Sequence, residues 1–245
     1  MIYELPDVRN AEVSGKRIFL RADTDVPVLG GAIEDDTRLM AWFPTLEYVL
    51  GQGGSVVIGG KLGRPQGVDP QLTLEPVAQW VGERVNAEMK KTKIAEFDAW
   101  EIGSNVVVLE NLQFYPGEKA NDPAFADQLA ALGDIYVNDA FAVCHRNHAS
   151  VVGVPARLPH FSGIRLQKEV EVLGSVLKNP RRPLVVIVGG KKIETKLPLV
   201  SKMVSFADRV LVGGSIAKET REVHPNLTVA ALNSEGTDIS QQSIE

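Results

Sequence analysis

Apolar residues along this chain change rhythm repeatedly. Short, nearly continuous apolar runs predict strands at Arg17–Arg21, Ser55–Ile58, Asn105–Leu109 and Ile135–Asn138. Between the first two, Leu39, Met40, Phe43, Leu46, Val49 and Leu50 recur at helical spacing, and Gly51-Gln-Gly-Gly54 stops that helix. Thr73 precedes a second amphipathic helix, Leu74–Ala87, with Val77, Trp80, Val81 and Val85 on its apolar side. Apolar strands alternating with helices imply a parallel sheet covered on both faces. A further helical stretch, Leu166–Leu177, carries Leu166, Val170, Val172, Leu173 and Val176, and Asn179-Pro-Arg-Arg-Pro183 ends it. This is the best candidate for a domain boundary; an ordinary helix inside one continuous sheet fits the composition equally. The alternation then restarts with a strand at Leu184–Val188, a helix at Lys196–Phe206, a strand at Arg209–Val212 and a glycine turn. The tail predicts a strand at Leu227–Ala231, then a loop and the first turn of a helix within 238–245.

Composition narrows the class without naming a function. The 245 residues are 44% hydrophobic and 23% charged, ordinary for a globular protein, and suffice for one large or two modest domains. A net charge of −5 argues against bulk nucleic-acid binding while leaving room for a local basic site. The start shows no basic and apolar leader pattern. No apolar run approaches the ~18 residues of a membrane helix. The single cysteine, Cys144, cannot form an internal disulfide, which fits a reducing cytoplasm. It precedes His145, but sequence neighbours seldom face each other productively, so a packed thiol is the expectation. The four histidines show no metal-ligand spacing with cysteine.

The most informative segment is Pro183-Leu-Val-Val-Ile-Val-Gly-Gly-Lys-Lys-Ile-Glu-Thr-Lys196. Lys192 and Lys196 lie four residues apart, where two cations on a helix repel by roughly 0.2–0.5 kcal/mol. An anion between them would remove that repulsion. The glycine pair lets backbone approach such an anion, and a helix start adds N–H donors. A solvated lysine pair fits the spacing equally. Neither a Walker A loop nor a G-x-G-x-x-G turn is present.

Three more segments place cations at or just after the end of a predicted strand: Arg21, then Lys61 with Arg64, then Arg146. In α/β domains, loops at the carboxyl ends of strands bind ligands, and guanidinium groups recognise carboxylate and phosphate in a forked geometry. Singly, each reads as a solvated surface residue. Together they read as an anion site.

The motifs here are specific. Arg21-Ala-Asp-Thr-Asp-Val-Pro27 resembles R-x-D-x-N-V-P of the phosphoglycerate kinase family, and Asp35-Asp-Thr-Arg38 resembles its D-D-T-R. Lys61-Leu-Gly-Arg-Pro65 resembles H-L-G-R-P, and Leu109-Glu-Asn-Leu-Gln-Phe114 resembles L-E-N-x-R-F. Tyr136-Val-Asn-Asp-Ala-Phe141 with His145-Arg-Asn-His-Ala-Ser150 resembles the next block. Gly189-Gly-Lys-Lys-Ile-Glu-Thr-Lys196 resembles G-G-x-K-x-x-x-K, and Val210–Ala217 the strand and glycine turn that follow. Three departures stand out. Asp25 replaces an asparagine and adds a negative charge. Lys61 replaces a histidine and keeps a positive one. Gln113 replaces an arginine and removes a guanidinium, so weaker phosphoglycerate binding is implied. Family members also continue past the position of Glu245, through a metal–nucleotide loop and a segment returning to the first domain.

The resemblance implies an α/β fold of two Rossmann-like parallel-sheet domains joined by a helix, the second incomplete. The first, 1–165, would bind phosphoglycerate; 166–182 would be the connecting helix; 183–245 would be part of the nucleotide domain. The implied reaction is reversible phosphoryl transfer between 1,3-bisphosphoglycerate and ADP, a step of glycolysis and gluconeogenesis. Arg38 and Lys192 would touch the phosphoryl group in flight. Arg21, Asp23, Thr24, Asp25, Arg38, Lys61, Leu62, Gly63, Arg64 and Arg146 would hold phosphoglycerate. Gly190, Lys192, Lys196, Gly213 and Gly214 would line the phosphates of ATP or ADP. The ligand for Mg2+ is expected beyond the C-terminus, and none within this chain. Partners would be small molecules, not nucleic acid or membrane, for a cytoplasmic monomer. The alternative is a truncated or divergent homologue that binds phosphoglycerate or other anions without catalysis.

Overall fold

The structure is a computed structural model that describes residues 5–190, 193–220 and 223–230, with the backbone alone at 193–195. In chain order the elements are β1 (Arg17–Arg21), β2 (Val28–Leu29), β3 (Ala32–Ile33), α1 (Thr37–Gly51), β4 (Ser55–Gly59) and α2 (Glu75–Val85). Then come β5 (Met89–Ile94), β6 (Phe97–Ile102), β7 (Val106–Leu109), α3 (Pro116–Ala120), α4 (Pro123–Ala130) and β8 (Ile135–Asn138). The remainder is β9 (His160–Ser162), α5 (Ile164–Lys178), β10 (Val185–Val188), α6 (Ile193–Val204), β11 (Arg209–Val212) and β12 (Leu227–Val229). The chain divides into two compact units inside α5, Met1–Val172 and Leu173–Glu245.

The N-terminal unit is built on a seven-stranded sheet of order β5-β6-β7-β4-β1-β8-β9. From β7 to β9 every pairing is parallel. Successive strand residues face opposite sides, and both sides are buried. Ile18 and Leu20 of β1, Val56 and Ile58 of β4 and Ile135 and Val137 of β8 join one core with Leu39, Trp42 and Leu46 of α1 and Val77 and Val81 of α2. The residues between them, Phe19, Val57 and Tyr136, join the opposite core with Phe125 and Leu129 of α4. Glu110, directly after β7, accepts from Thr73 Oγ1 at 2.7 Å and Leu74 N at 2.8 Å, so the loop fastens the start of α2.

One edge departs from the expected parallel sheet. β5 and β6 form an antiparallel hairpin, and β6 pairs antiparallel with β7. The polar run Met89-Lys-Lys-Thr-Lys-Ile94 hides β5 from an apolar-run reading. The turn uses Ala95 at φ 49°, where a glycine or asparagine would have signalled a hairpin. α5 departs too. Leu166 is buried, whereas Val172, Leu173, Val176 and Leu177 are exposed despite their helical spacing.

The C-terminal unit holds a three-stranded parallel sheet, β10-β11-β12. α6 covers one face through Val200 and Val204, which pack with Val188, Val210 and Val212. The predicted helical turn within 238–245 and the last residue of the predicted strand, Ala231, lie outside the described residues. Among the described residues no helix is long and apolar enough to cross a membrane.

Candidate functional site

The loops after β1, β4, β7 and β8 meet at the carboxyl edge of the large sheet. Close packing dictates their residues. A Cβ on Gly60 would lie 2.1 Å from Thr24 Oγ1, so the β1 and β4 loops can touch only with glycine there. Thr24 Oγ1 donates to the Lys61 carbonyl at 2.8 Å. Buried Asn111 donates Nδ2 to the Leu62 and Leu72 carbonyls, each at 2.8 Å. Asp25 Oδ1 accepts from Gly63 N at 2.8 Å, with Gly63 at φ 63°. The Lys61–Pro65 loop is thus fastened at successive backbone positions, and its side chains are aimed by a fixed frame.

Those loops enclose a cleft of about 430 Å³. Five cations line it: Arg38, Lys61, Arg64, Lys119 and Arg146. Asp23, Asp25, Gln66, Gln113, His145 and His148 complete the polar lining. Asp23 Oδ2 lies 3.6 Å from Arg38 Nη1, and the Trp42 indole fixes the Asp23 backbone by donating to its carbonyl at 3.1 Å. Lys61 is ion-paired to Asp25. Arg64 and Arg146 are exposed. Five positive groups against two carboxylates give the cleft an excess of positive charge, which suits an anion.

Behind the cleft runs a buried polar chain. Ser150 Oγ donates to Glu118 Oε1 at 2.6 Å, and Ser150 N donates to Oε2 at 2.9 Å. His148 Nδ1 stands 3.6 Å from Glu118 Oε1, inside ion-pair range but too far for a hydrogen bond. Burial holds the His148 imidazole below its usual pKa; Glu118 opposes this, while Arg21, Arg146 and Lys119 reinforce it. An anion entering the cleft would offset those cations and raise it.

Several residues read from the sequence as ligand contacts sit elsewhere. Arg21 is buried and does not line the cleft. As the last residue of β1, its Nε donates to Ser150 Oγ at 2.9 Å and its Nη1 to the Ala22 carbonyl at 2.6 Å. A central strand position, flanked by β4 and β8, turns this guanidinium inward. Thr24 and Leu62 are buried and serve the loop frame. Cys144 is exposed rather than packed; its sulfur receives the Asn138 amide at 3.4 Å and donates to the Ala140 carbonyl at 3.6 Å.

In the C-terminal unit two glycine turns end adjacent strands. Gly213 N donates to the Val188 carbonyl at 3.0 Å. Gly190 has φ 127° and Gly214 φ 67°, and a Cβ on Gly214 would stand 3.4 Å from Gly190 N. The turns leave backbone without side chains in front of them, as phosphate sites require. Lys196 is half-buried on the first turn of α6. Lys192 lies outside the described residues.

A family model for phosphoglycerate kinase matches residues 8–238. The chain belongs to the phosphoglycerate kinase family. The phosphoglycerate kinase of Rubrobacter xylanophilus is 43% identical over 215 residues, covering 85% of this chain and 55% of that protein. The solved phosphoglycerate kinase of Coxiella burnetii superposes with a TM-score of 0.75 at 30% identity, covering 92% of this chain and 60% of the other. That of Pyrococcus horikoshii gives 0.72 at 30%, with 87% and 56% covered. The chain thus spans little more than half the length of these relatives.

The family pattern makes the local departures legible. Asp25 and Lys61, two of the three, are bonded to each other, so the added negative charge is paired with the cation that stands in for the histidine. His145, His148 and Lys119 line the cleft and escaped selection from the sequence. Both histidines lie in the family-like block His145–Ser150, which was the available signal. Lys119 carries none: only the placement of the five-residue α3 brings it there.

Proposed function

We propose that this chain carries the phosphoglycerate site, and part of the nucleotide side, of a kinase that transfers a phosphoryl group between 1,3-bisphosphoglycerate and ADP. The observation that carries the reading is the cleft: five cations, from hydrogen-bonded strand-end loops and the helices α1 and α3, gathered at the carboxyl edge of a parallel sheet. Phosphoryl transfer spreads negative charge over the moving group, so the protein's task is positioning and charge neutralisation. Arg38, on the first turn of α1 and steadied by Asp23, is assigned to that group together with Lys192. Lys61, Arg64 and Arg146 are assigned to phosphoglycerate, with Asp25 and Gly63 fixing the loop. Gly190, Lys196, Gly213 and Gly214 are assigned to the phosphates of ATP or ADP. Mg2+, when bound with nucleotide, would neutralise phosphate charge; among the described residues no group of three His, Cys, Asp or Glu could hold a metal ion. The reading places the protein in the cytoplasm, acting as a monomer on small molecules.

Titration calorimetry of the whole chain with 3-phosphoglycerate tests this. Saturable binding that weakens with salt is expected. Arg64→Ala should weaken it by about tenfold, the scale of one charge-assisted hydrogen bond. No heat at millimolar ligand and low salt would refute the site.

A further inference from the structure

The five cations of the cleft are not equally available. Arg38 faces Asp23, and Lys61 is paired with Asp25. Among the described residues Arg64, Lys119 and Arg146 form no ion pair with a carboxylate, so their charge is uncommitted. Lys119 is exposed, and its ammonium donates only to the Pro65 carbonyl, a neutral acceptor that an incoming anion can replace. Its backbone, by contrast, is well held. The neighbouring Glu118 is buried and bonded to Ser150 through both carboxylate oxygens. Pro116 opens α3, and Asn121 closes it at φ 50°. The same cleft is lined by Gln113, whose amide oxygen is buried and has no hydrogen-bond partner. Gln113 stands where the family pattern has arginine. One wall of the cleft therefore lacks a guanidinium, and a lysine from the next element reaches the same space.

We propose that Lys119 is an affinity-determining residue of this chain, supplying to the ligand's phosphate the positive charge that Gln113 does not. The inference rests on the phosphoglycerate reading of the cleft. An ammonium differs from a guanidinium in its contacts: it is a compact point charge without the forked geometry that grips two phosphate oxygens at once. Lys119 should therefore restore attraction more fully than it restores orientation. The lowered pKa of His148 is consistent, because Lys119 is among the cations acting on it.

The test uses the 245-residue chain, 3-phosphoglycerate and titration calorimetry. Lys119→Gln keeps a donor for the Pro65 carbonyl while removing the charge, and matched thermal melts check that the fold is retained. Its affinity should fall by about tenfold at low salt. Adding Gln113→Arg to that variant should bring affinity back to the parent's level or above. If K119Q binds as the parent does, or if Q113R fails to restore a lost affinity, Lys119 does not hold this role. A parent that does not bind at all overturns the phosphoglycerate reading itself, a result distinct from a binding parent indifferent to Lys119.

Discussion

The tripeptide Val-Val-Ile occurs at 56–58 in the N-terminal unit and at 185–187 in the C-terminal unit, each time in a parallel strand that leads to a glycine pair. In β4 all three side chains are buried. In β10 Val185 is 48% exposed and Ile187 77% exposed, while only Val188 is fully covered. The difference lies in what packs over the strand. β4 has α1 and α2 over one face and α4 over the other, whereas α6 covers one face of the small sheet. Identical local sequence thus gives the same strand and a different energetic weight, since fully burying an aliphatic side chain is worth about 1.5–3 kcal/mol.

The sharpest way to break this comparison is to truncate the same residue in both strands. Ile58→Ala should cost about 2–5 kcal/mol in urea unfolding, because it leaves a cavity in a two-sided core. Ile187→Ala should stay within about 0.5 kcal/mol, as exposed substitutions do. Equal losses would show that the two sheets are buried alike.

Carboxylates should separate the units next, with opposite signs. Asp139 is buried at the end of β8, where it accepts from Thr45 Oγ1 at 2.5 Å and from Leu166 N, near the start of α5, at 2.8 Å. Burial pushes its pKa up to about 6 despite these bonds. A raised folded-state pKa means stability that is full below the unfolded value near 4 and lost as pH rises through about 6. Between pH 4 and 7 the parent should lose stability relative to Asp139→Asn, on the order of 2–3 kcal/mol in all. Asp208 of the C-terminal unit shows the reverse. Arg182 donates to it at 2.8 Å and holds its pKa below the usual carboxylate value. Its contribution is present at neutral pH and lost on acidification, so Asp208→Asn should lower the melting temperature at pH 7 and have less effect in acid. Parallel pH profiles for the two variants would contradict the assignment.

A smaller effect concerns the pair that distinguishes the N-terminal loops. Asp25→Asn and Lys61→His, made singly, each leave one charge without its partner. The double variant should be more stable than the sum of the two single losses, by about 0.5–1 kcal/mol in a double-mutant cycle. Additive losses would mean that the pair carries no coupling.

Much of this was legible in the sequence. β1, β8 and β11 begin and end where their apolar runs do, and Arg38, Lys61, Arg64 and Arg146 meet in one cleft because strand-end loops converge in a parallel sheet. What stayed hidden depends on packing rather than pattern. Arg21 looks like a loop cation, yet its position between β4 and β8 buries it against Ser150. β5 is too polar to announce itself, and its hairpin turn carries no glycine. Lys119 sits on a single helical turn whose placement is set by Glu118 and Ser150, 32 residues apart. Val172, Leu173 and Val176 keep helical spacing while remaining exposed, so periodicity there marks a helix without marking its covered face.

Hydrogen exchange with and without 3-phosphoglycerate tests most directly the claim that the ligand site belongs to the N-terminal cleft. Saturating ligand should slow exchange of backbone amides at 61–66 and 142–148 and leave those at 185–188 and 209–212 unchanged. Protection confined to the C-terminal strands, or none in either region under conditions where calorimetry reports binding, would contradict the account.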